Sequence, residues 1–141
     1  MKRVAVLLWL VLVLAVSTHW VGRAQQPPAA GADDPRFTGK TVTMESKDLS
    51  IARRHFEAGA RTAWHSHDRG QLLMVEEGRL RTQKRGQAIK DLGVGESDYT
   101  APNIVHWHGA APGQTLVQIN VGFGGDTKWL ERVSDAEYSR K

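Results

Sequence analysis

Two short histidine patterns, His65-Ser66-His67 and His106-Trp107-His108, stand about forty residues apart in this chain of 141 residues, and Gln71 follows four places after the first. They hold four of its six histidines. In an extended strand successive side chains alternate between faces, so His65 and His67 point the same way, about 7 Å apart at the backbone. Both rings could then reach one ion, with His106 arriving from a neighbouring strand. Imidazole is the commonest protein ligand for divalent transition metals, and three imidazoles around an open-sided ion make a Lewis acid that polarises a substrate oxygen or activates water. Ordinary surface or core histidines are the competing reading. Two His-x-His pairs, each beside a Trp and among strand-forming residues, argue for the metal.

Positioning such a cluster requires strands, and the text from Phe37 onward supplies them. Glycines at 59, 70, 78, 86, 93, 95, 109 and 113, then Gly122-Phe123-Gly124-Gly125, punctuate short segments whose apolar period is near two, the pattern of an all-β sandwich or barrel. Strands are expected at Lys40 to Glu45, Leu49 to Glu57, Ala63 to His67, Gln71 to Glu77, Arg79 to Lys84, Gln87 to Leu92, Asp98 to Thr100, Val105 to Gly109 and Thr115 to Val121. Near the C-terminus Ser134 and Glu137 fit a capping box, which predicts a helical turn over Asp135 to Tyr138, docked with help from Trp129, Leu130 and Val133. Gly93-Val94-Gly95 lacks the strand-loop-helix setting of a phosphate cradle, and no serine lies in a nucleophile elbow.

Lys2 and Arg3 followed by the unbroken apolar run Val4 to Val16 predict a secretory signal peptide over 1–24, cleaved after Ala24. The run is about 13 residues, short for a bilayer that needs about 20, so no stable membrane span is expected once the leader is removed; a retained leader would anchor the protein. Residues 25–36, rich in Pro, Ala and Gly, read as a flexible linker, and 37–141 as one domain. The expected location is periplasmic or secreted. The full chain carries a net charge of +4; without Lys2, Arg3 and Arg23 it has 16 basic against 15 acidic residues, a charge of +1. No basic stripe with interleaved aromatics remains, so no nucleic-acid partner is expected. The absence of cysteine removes thiolate ligands and nucleophiles and leaves stability to packing alone.

The spacing Gly59, His65, His67, Gln71, Gly78 resembles the first sequence motif of the cupin family, with Gln where most members have Glu. Gly95, Ala101, Asn103 and His106 occupy the positions of the second motif, usually Gly, Pro, Gly and His. The resemblance implies a cupin jelly-roll barrel. A narrower similarity, through Phe37-Thr38-Gly39, the stretch from Phe56 to His65, Gly70-Gln71 and the stretch from His106 to Ala110, is to short bacterial cupins that include manganese-dependent hydroxynitrile lyases. It implies a metal held by His65, His67, Gln71 and His106. In those lyases the position of Gln118 is a His and that of Gly122 a Gln that contacts substrate, and both differences set this chain apart from them.

A neutral Gln71 leaves the ion without an anionic ligand and makes it a stronger electrophile. Three imidazoles and one amide oxygen leave two positions free in an octahedron, which suits Mn(II) or Fe(II); Zn(II) or Ni(II) could use the same donors. His108, two residues past His106, is either a general acid/base or an interior histidine satisfied by its neighbours. If Phe56 points into the barrel, Arg54 and Ala52 share its side, and Arg54 either pairs with a protein carboxylate, reaches to the rim, or receives an anionic ligand. Gln118 and Asn120 line the cavity on the last long strand, while Val117, Ile119 and Val121 face a second sheet or a second subunit, the latter giving a homodimer.

These residues describe an exported metal-binding protein with a small-molecule substrate. The reading developed first is a metalloenzyme acting on an oxygen-bearing organic molecule, with His108 as catalytic residue and Arg54, Phe56, Gln118 and Asn120 as substrate-binding residues. Its specific form is lyase chemistry of the hydroxynitrile type. An Fe(II)-dependent dioxygenase and a non-catalytic periplasmic metal- or ligand-binding module are the alternatives.

Overall fold

The computed structural model describes residues 36–38 and 41–140. The expected leader over 1–24 and nearly all of the expected linker over 25–36 lie outside these residues. The chain divides into two compact units, Met1–Met44 and Glu45–Lys141. In the first, the described residues are exposed and form no strand. The expected strand from Lys40 to Glu45 is therefore absent over its described part, 41–45: Thr41, Val42, Thr43 and Met44 have β-forming character but no strand partner among the described residues to complete their hydrogen bonds.

The second unit holds nine strands and one helical turn: β1 (Ser50–Phe56), β2 (His65–His67), β3 (Gln71–Gly78), β4 (Leu80–Lys84), β5 (Lys90–Leu92), β6 (Ser97–Thr100), β7 (His106–Ala110), β8 (Leu116–Gly122), β9 (Thr127–Trp129) and α1 (Asp135–Tyr138). All strand pairs are antiparallel. They form a four-stranded sheet ordered β1-β8-β3-β6 and a five-stranded sheet ordered β5-β4-β7-β2-β9. The two sheets make a β-sandwich. Eight strands fall where sequence alternation places them, and β9 was not foreseen: three residues after a Gly-Gly turn carry too little periodicity to be recognised.

Alternation along the strands separates two cores. Between the sheets, Phe56, Leu73, Val75, Leu80, Ala110 and Leu116 form one buried cluster. On the outer face of the five-stranded sheet, Trp64, Trp107, Val133 and Tyr138 form the other, with Ile89, Val105 and Leu130 packed against it. The segment from Leu130 to Tyr138 thus covers that outer face. It is pinned by Arg61, whose guanidinium donates to the Val133 carbonyl at 2.9 and 3.2 Å and to the Gly59 carbonyl at 3.1 Å, pairs with Asp135 at 2.6 Å, and lies 4.5 Å from the Tyr138 ring centre. The Tyr138 hydroxyl donates to the Ala110 carbonyl at 2.6 Å. Helix α1 has the expected capping box, Ser134 with Glu137. Trp129, expected to dock this segment, does not: it belongs to β9 and is 61% exposed, because its register opposite His65 turns it to the other face of the sheet.

Among the described residues, no segment covers the outer face of the four-stranded sheet in this way. Ile51, Val121, Leu72 and Tyr99 stand in register as one apolar row across all four strands, with Met74 and Ile119 paired beside them. Ile51 is 71%, Tyr99 52% and Met74 44% exposed. Arg61→Ala should lower unfolding free energy by about 2 kcal/mol, since it strips charge-assisted bonds from a half-buried site. Urea unfolding with an unchanged m-value would read this directly, and a midpoint equal to wild type would show that the C-terminal segment docks without it.

Candidate metal centre

Register brings the histidines together. His65 on β2 is paired with His106 on β7, and β9 sits on the other side of β2 with Trp129 opposite His65 and Thr127 opposite His67. All these side chains therefore share the face turned toward the second sheet, from which Gln71 on β3 and Gln118 on β8 arrive. The His65 and His106 ring centres are 4.3 Å apart, His65 and His67 5.0 Å, and His67 and His106 5.5 Å. Gln71 Oε1 lies 3.1 Å from His106 Nε2.

Two turns make this possible. Gly70, between His67 and Gln71, has φ +85°, and a Cβ there would stand 2.6 Å from the Thr100 carbonyl oxygen, so only glycine lets β2 run into β3 at this distance. Asn103, standing at the usual glycine of the second motif, takes φ +62°, a left-handed conformation that Asn tolerates, and its N–H donates to the His67 carbonyl at 2.8 Å.

The second nitrogen of each ring is held. His65 Nδ1 donates to the Ala63 carbonyl at 2.9 Å and His106 Nδ1 to the Ile104 carbonyl at 3.1 Å, which puts a lone pair on each Nε2, that of His106 turned toward the Gln71 oxygen rather than toward a donor. His67 Nδ1 is bonded to Thr127 Oγ1 at 2.9 Å. His67 Nε2 is buried and has no hydrogen-bond partner. A buried polar atom without a partner is costly, and this one faces the other imidazoles, so the donor set fits a divalent cation. Thr127 and Trp129, whose ring lies 4.7 Å from His65 at a 32° tilt, were missed in the sequence because β9 was missed.

His108 is fully enclosed. Its Nδ1 accepts from the Gln118 amide at 3.1 Å, the Phe56 ring meets it edge-on at 6.0 Å between centres, and its backbone N–H donates to Thr62 Oγ1 at 3.1 Å. The potential ligand atoms of His65, His106 and His108 all lie within 4.8 Å of one another, so the closest trio contains His108, with His67 and Gln71 adjoining it. Gln118 is buried and also donates to Asn120, which is half-buried. Phe56 is buried; Arg54, on the same side of β1, is exposed. His55 is on the opposite side, exposed, near Glu57.

A buried ion pair lies beside the histidines. Lys84, in register with His106, donates to Asp98 at 3.0 Å and to the Tyr99 carbonyl at 2.8 Å, and Asp98 is 7% exposed. Burial drives the imidazole pKa values down, to about 4 for His65 and about 3 for His106, where neighbouring His65 and Lys84 add to the shift. Burial also lowers His67, and it pushes His108 well below the usual imidazole value. At neutral pH all four rings are uncharged, the state that binds metal.

This is an antiparallel β-sandwich that encloses a buried three-histidine centre suited to a divalent metal. The chain belongs to the cupin family: residues 52–121 match the cupin domain, and it is 40% identical over 125 residues, 86% of each chain, to an (R)-mandelonitrile lyase of Granulicella tundricola. A cupin-like protein from Thermotoga maritima superposes with a TM-score of 0.62 at 41% identity, covering 64% of this chain and 71% of that one. An uncharacterised double-stranded β-helix protein from Klebsiella pneumoniae shares the fold at a TM-score of 0.54 and 18% identity, covering 78% and 98% of the two chains. Among the described residues no helix is long and apolar enough to cross a membrane.

Once unfolded, these histidines take up protons near pH 6.5, whereas the buried rings do so only near pH 4 or below. Below pH 6.5 the unfolded chain binds more protons, so native stability falls as pH drops toward 4. The metal-free protein should lose roughly 10 °C of Tm between pH 7 and 4.5 and little between pH 7 and 8.5. Calorimetry checks this, and a Tm flat on the acid side would mean the rings titrate as if exposed.

Proposed function

We propose that this protein is an exported metal-dependent lyase acting on a small hydroxyl-bearing organic molecule, with cyanohydrin cleavage as its specific form. The observation that carries the reading is the orphaned, buried Nε2 of His67 facing His65, His106 and Gln71, in a chain so similar to a mandelonitrile lyase. His65, His67 and His106 through Nε2 and Gln71 through Oε1 would hold the ion. Mn(II) or Fe(II) suits this set of neutral donors, although Zn(II) or Ni(II) could occupy it. When bound, the metal supplies a Lewis acid toward a substrate oxygen.

His108 is left out of the ligand set because Gln118 donates to its Nδ1, which places the proton on Nε2. There it can pass that proton to departing cyanide as the carbon–carbon bond breaks, and regain one from the substrate hydroxyl. Phe56 walls the cavity beside it, and Asn120 offers a polar contact at the side of Gln118.

Manganese-loaded protein should release cyanide from (R)-mandelonitrile and stop after chelation. His108→Phe should keep its metal by elemental analysis and lose about 100-fold or more in rate, whereas His65→Ala should lose both metal and activity. A fully loaded protein that releases no cyanide would refute the lyase, and oxygen uptake with Fe(II) would indicate a dioxygenase instead.

The N-terminal sequence supports export to the periplasm or beyond. The uncovered apolar row of the four-stranded sheet supports a homodimer, since apolar rows are self-complementary across a two-fold axis and the other sheet's outer face is already covered by the chain itself. Native mass spectrometry of the exported protein should give twice the mass of a chain beginning at Gln25, and Ile51→Lys should give the monomer. A monomeric wild type would rule out the dimer, and an intact leader would rule out cleavage.

A further inference from the structure

Charge inside the barrel is one-sided. Among the described residues, Asp98 is the buried carboxylate on the inner face of the four-stranded sheet, and Lys84 at 3.0 Å already neutralises it, with Lys90 at 4.0 Å. The imidazoles and Gln71 are neutral at pH 7. A divalent ion held by them keeps its full charge.

To this Arg54 adds another cation. Its β1 position is in register with Gln118, whose amide reaches across to His108 on the opposite sheet, so Arg54 stands on the inward side. The next inward residue, Phe56, packs against His108, and Ala52 before it is small. β1 is also an edge strand, so this side chain is exposed rather than enclosed. Arginines 53, 61, 69, 81 and 85 each hold a carboxylate. Arg54 has no hydrogen-bond or ion-pair partner among the described residues.

An unpaired, exposed guanidinium on the inward side of the edge strand, in register with the Gln118 that reaches His108, is a recognition group for a planar anion, which its fork binds through two parallel hydrogen bonds. We infer that Arg54 gives the site affinity for small molecules that carry a carboxylate beside the hydroxyl, so that it takes hydroxy carboxylates as a second ligand class beside the neutral cyanohydrin, and more tightly than their neutral amides. This rests on the metal centre described above and adds to the ligand class proposed for it. Arg54 binds the carboxylate at the rim and leaves the hydroxyl directed toward His108 and the histidine cluster. The polar amides of Gln118 and Asn120 lie between them on β8.

Mandelate and mandelamide separate the charge from the shape, since both carry the hydroxyl and the ring. Calorimetric titration of manganese-loaded wild type should show tighter binding of mandelate, and Arg54→Met should reduce the mandelate-to-mandelamide affinity ratio about tenfold or more, because the amide loses a neutral hydrogen bond and the carboxylate a charge-assisted pair. Arg54→Lys should restore part of the ratio, because it returns the charge without the fork. A wild type that does not distinguish the two ligands, or a ratio unchanged within about twofold in Arg54→Met, would overturn the inference and leave the lyase reading intact. Cyanide release that fails while the carboxylate preference holds would remove the lyase and keep Arg54 as the anion-selecting residue.

Discussion

Four imidazoles meet inside one small barrel, and burial disfavours a proton on every one of them. That constraint organises the rest of the site. Each ring must be neutral, each Nδ1 must find a partner, and each Nε2 must either find one or await a cation. The backbone carbonyls of Ala63 and Ile104, the Thr127 hydroxyl and the Gln118 amide meet the first need from four different segments. The orphaned Nε2 of His67 marks where protein groups stop meeting the second.

The surrounding fold serves this arrangement in layers. Phe56, Leu73, Leu80 and Leu116 close one end of the space between the sheets, so the polar groups are confined to the other. Trp64 and Trp107, alternating with the histidines on their strands, anchor the outer face under the C-terminal segment. Each His-x-His pair is thus braced by a Trp beside it on the opposite face. Fixing β2 and β7 from outside fixes the ring positions inside, which is how packing far from the metal decides its geometry.

Forty per cent identity over most of both chains accounts for the shared family. Within this chain Arg54 and Gln118 play different parts, one standing unpaired on the exposed edge strand and the other orienting the deepest histidine.

Much of the fold was legible beforehand, because strand alternation and glycine punctuation are local properties: eight of the nine strands and the capped turn at Ser134 follow from them. The His-x-His spacing likewise determined that His65 and His67, and separately His106 and His108, share a face. What it could not determine was the cross-strand register, which pairs His65 with His106 and with Trp129 and brings Thr127 to His67. It also could not show that the closest trio includes His108, or that Gln118 is an enclosed hydrogen-bond partner rather than an open cavity wall. Those depend on how far apart the two sheets settle, a distance fixed by the packing of side chains scattered from Phe56 to Leu116. Periodicity assigns each side chain to a face; only the folded barrel decides which faces meet and how closely.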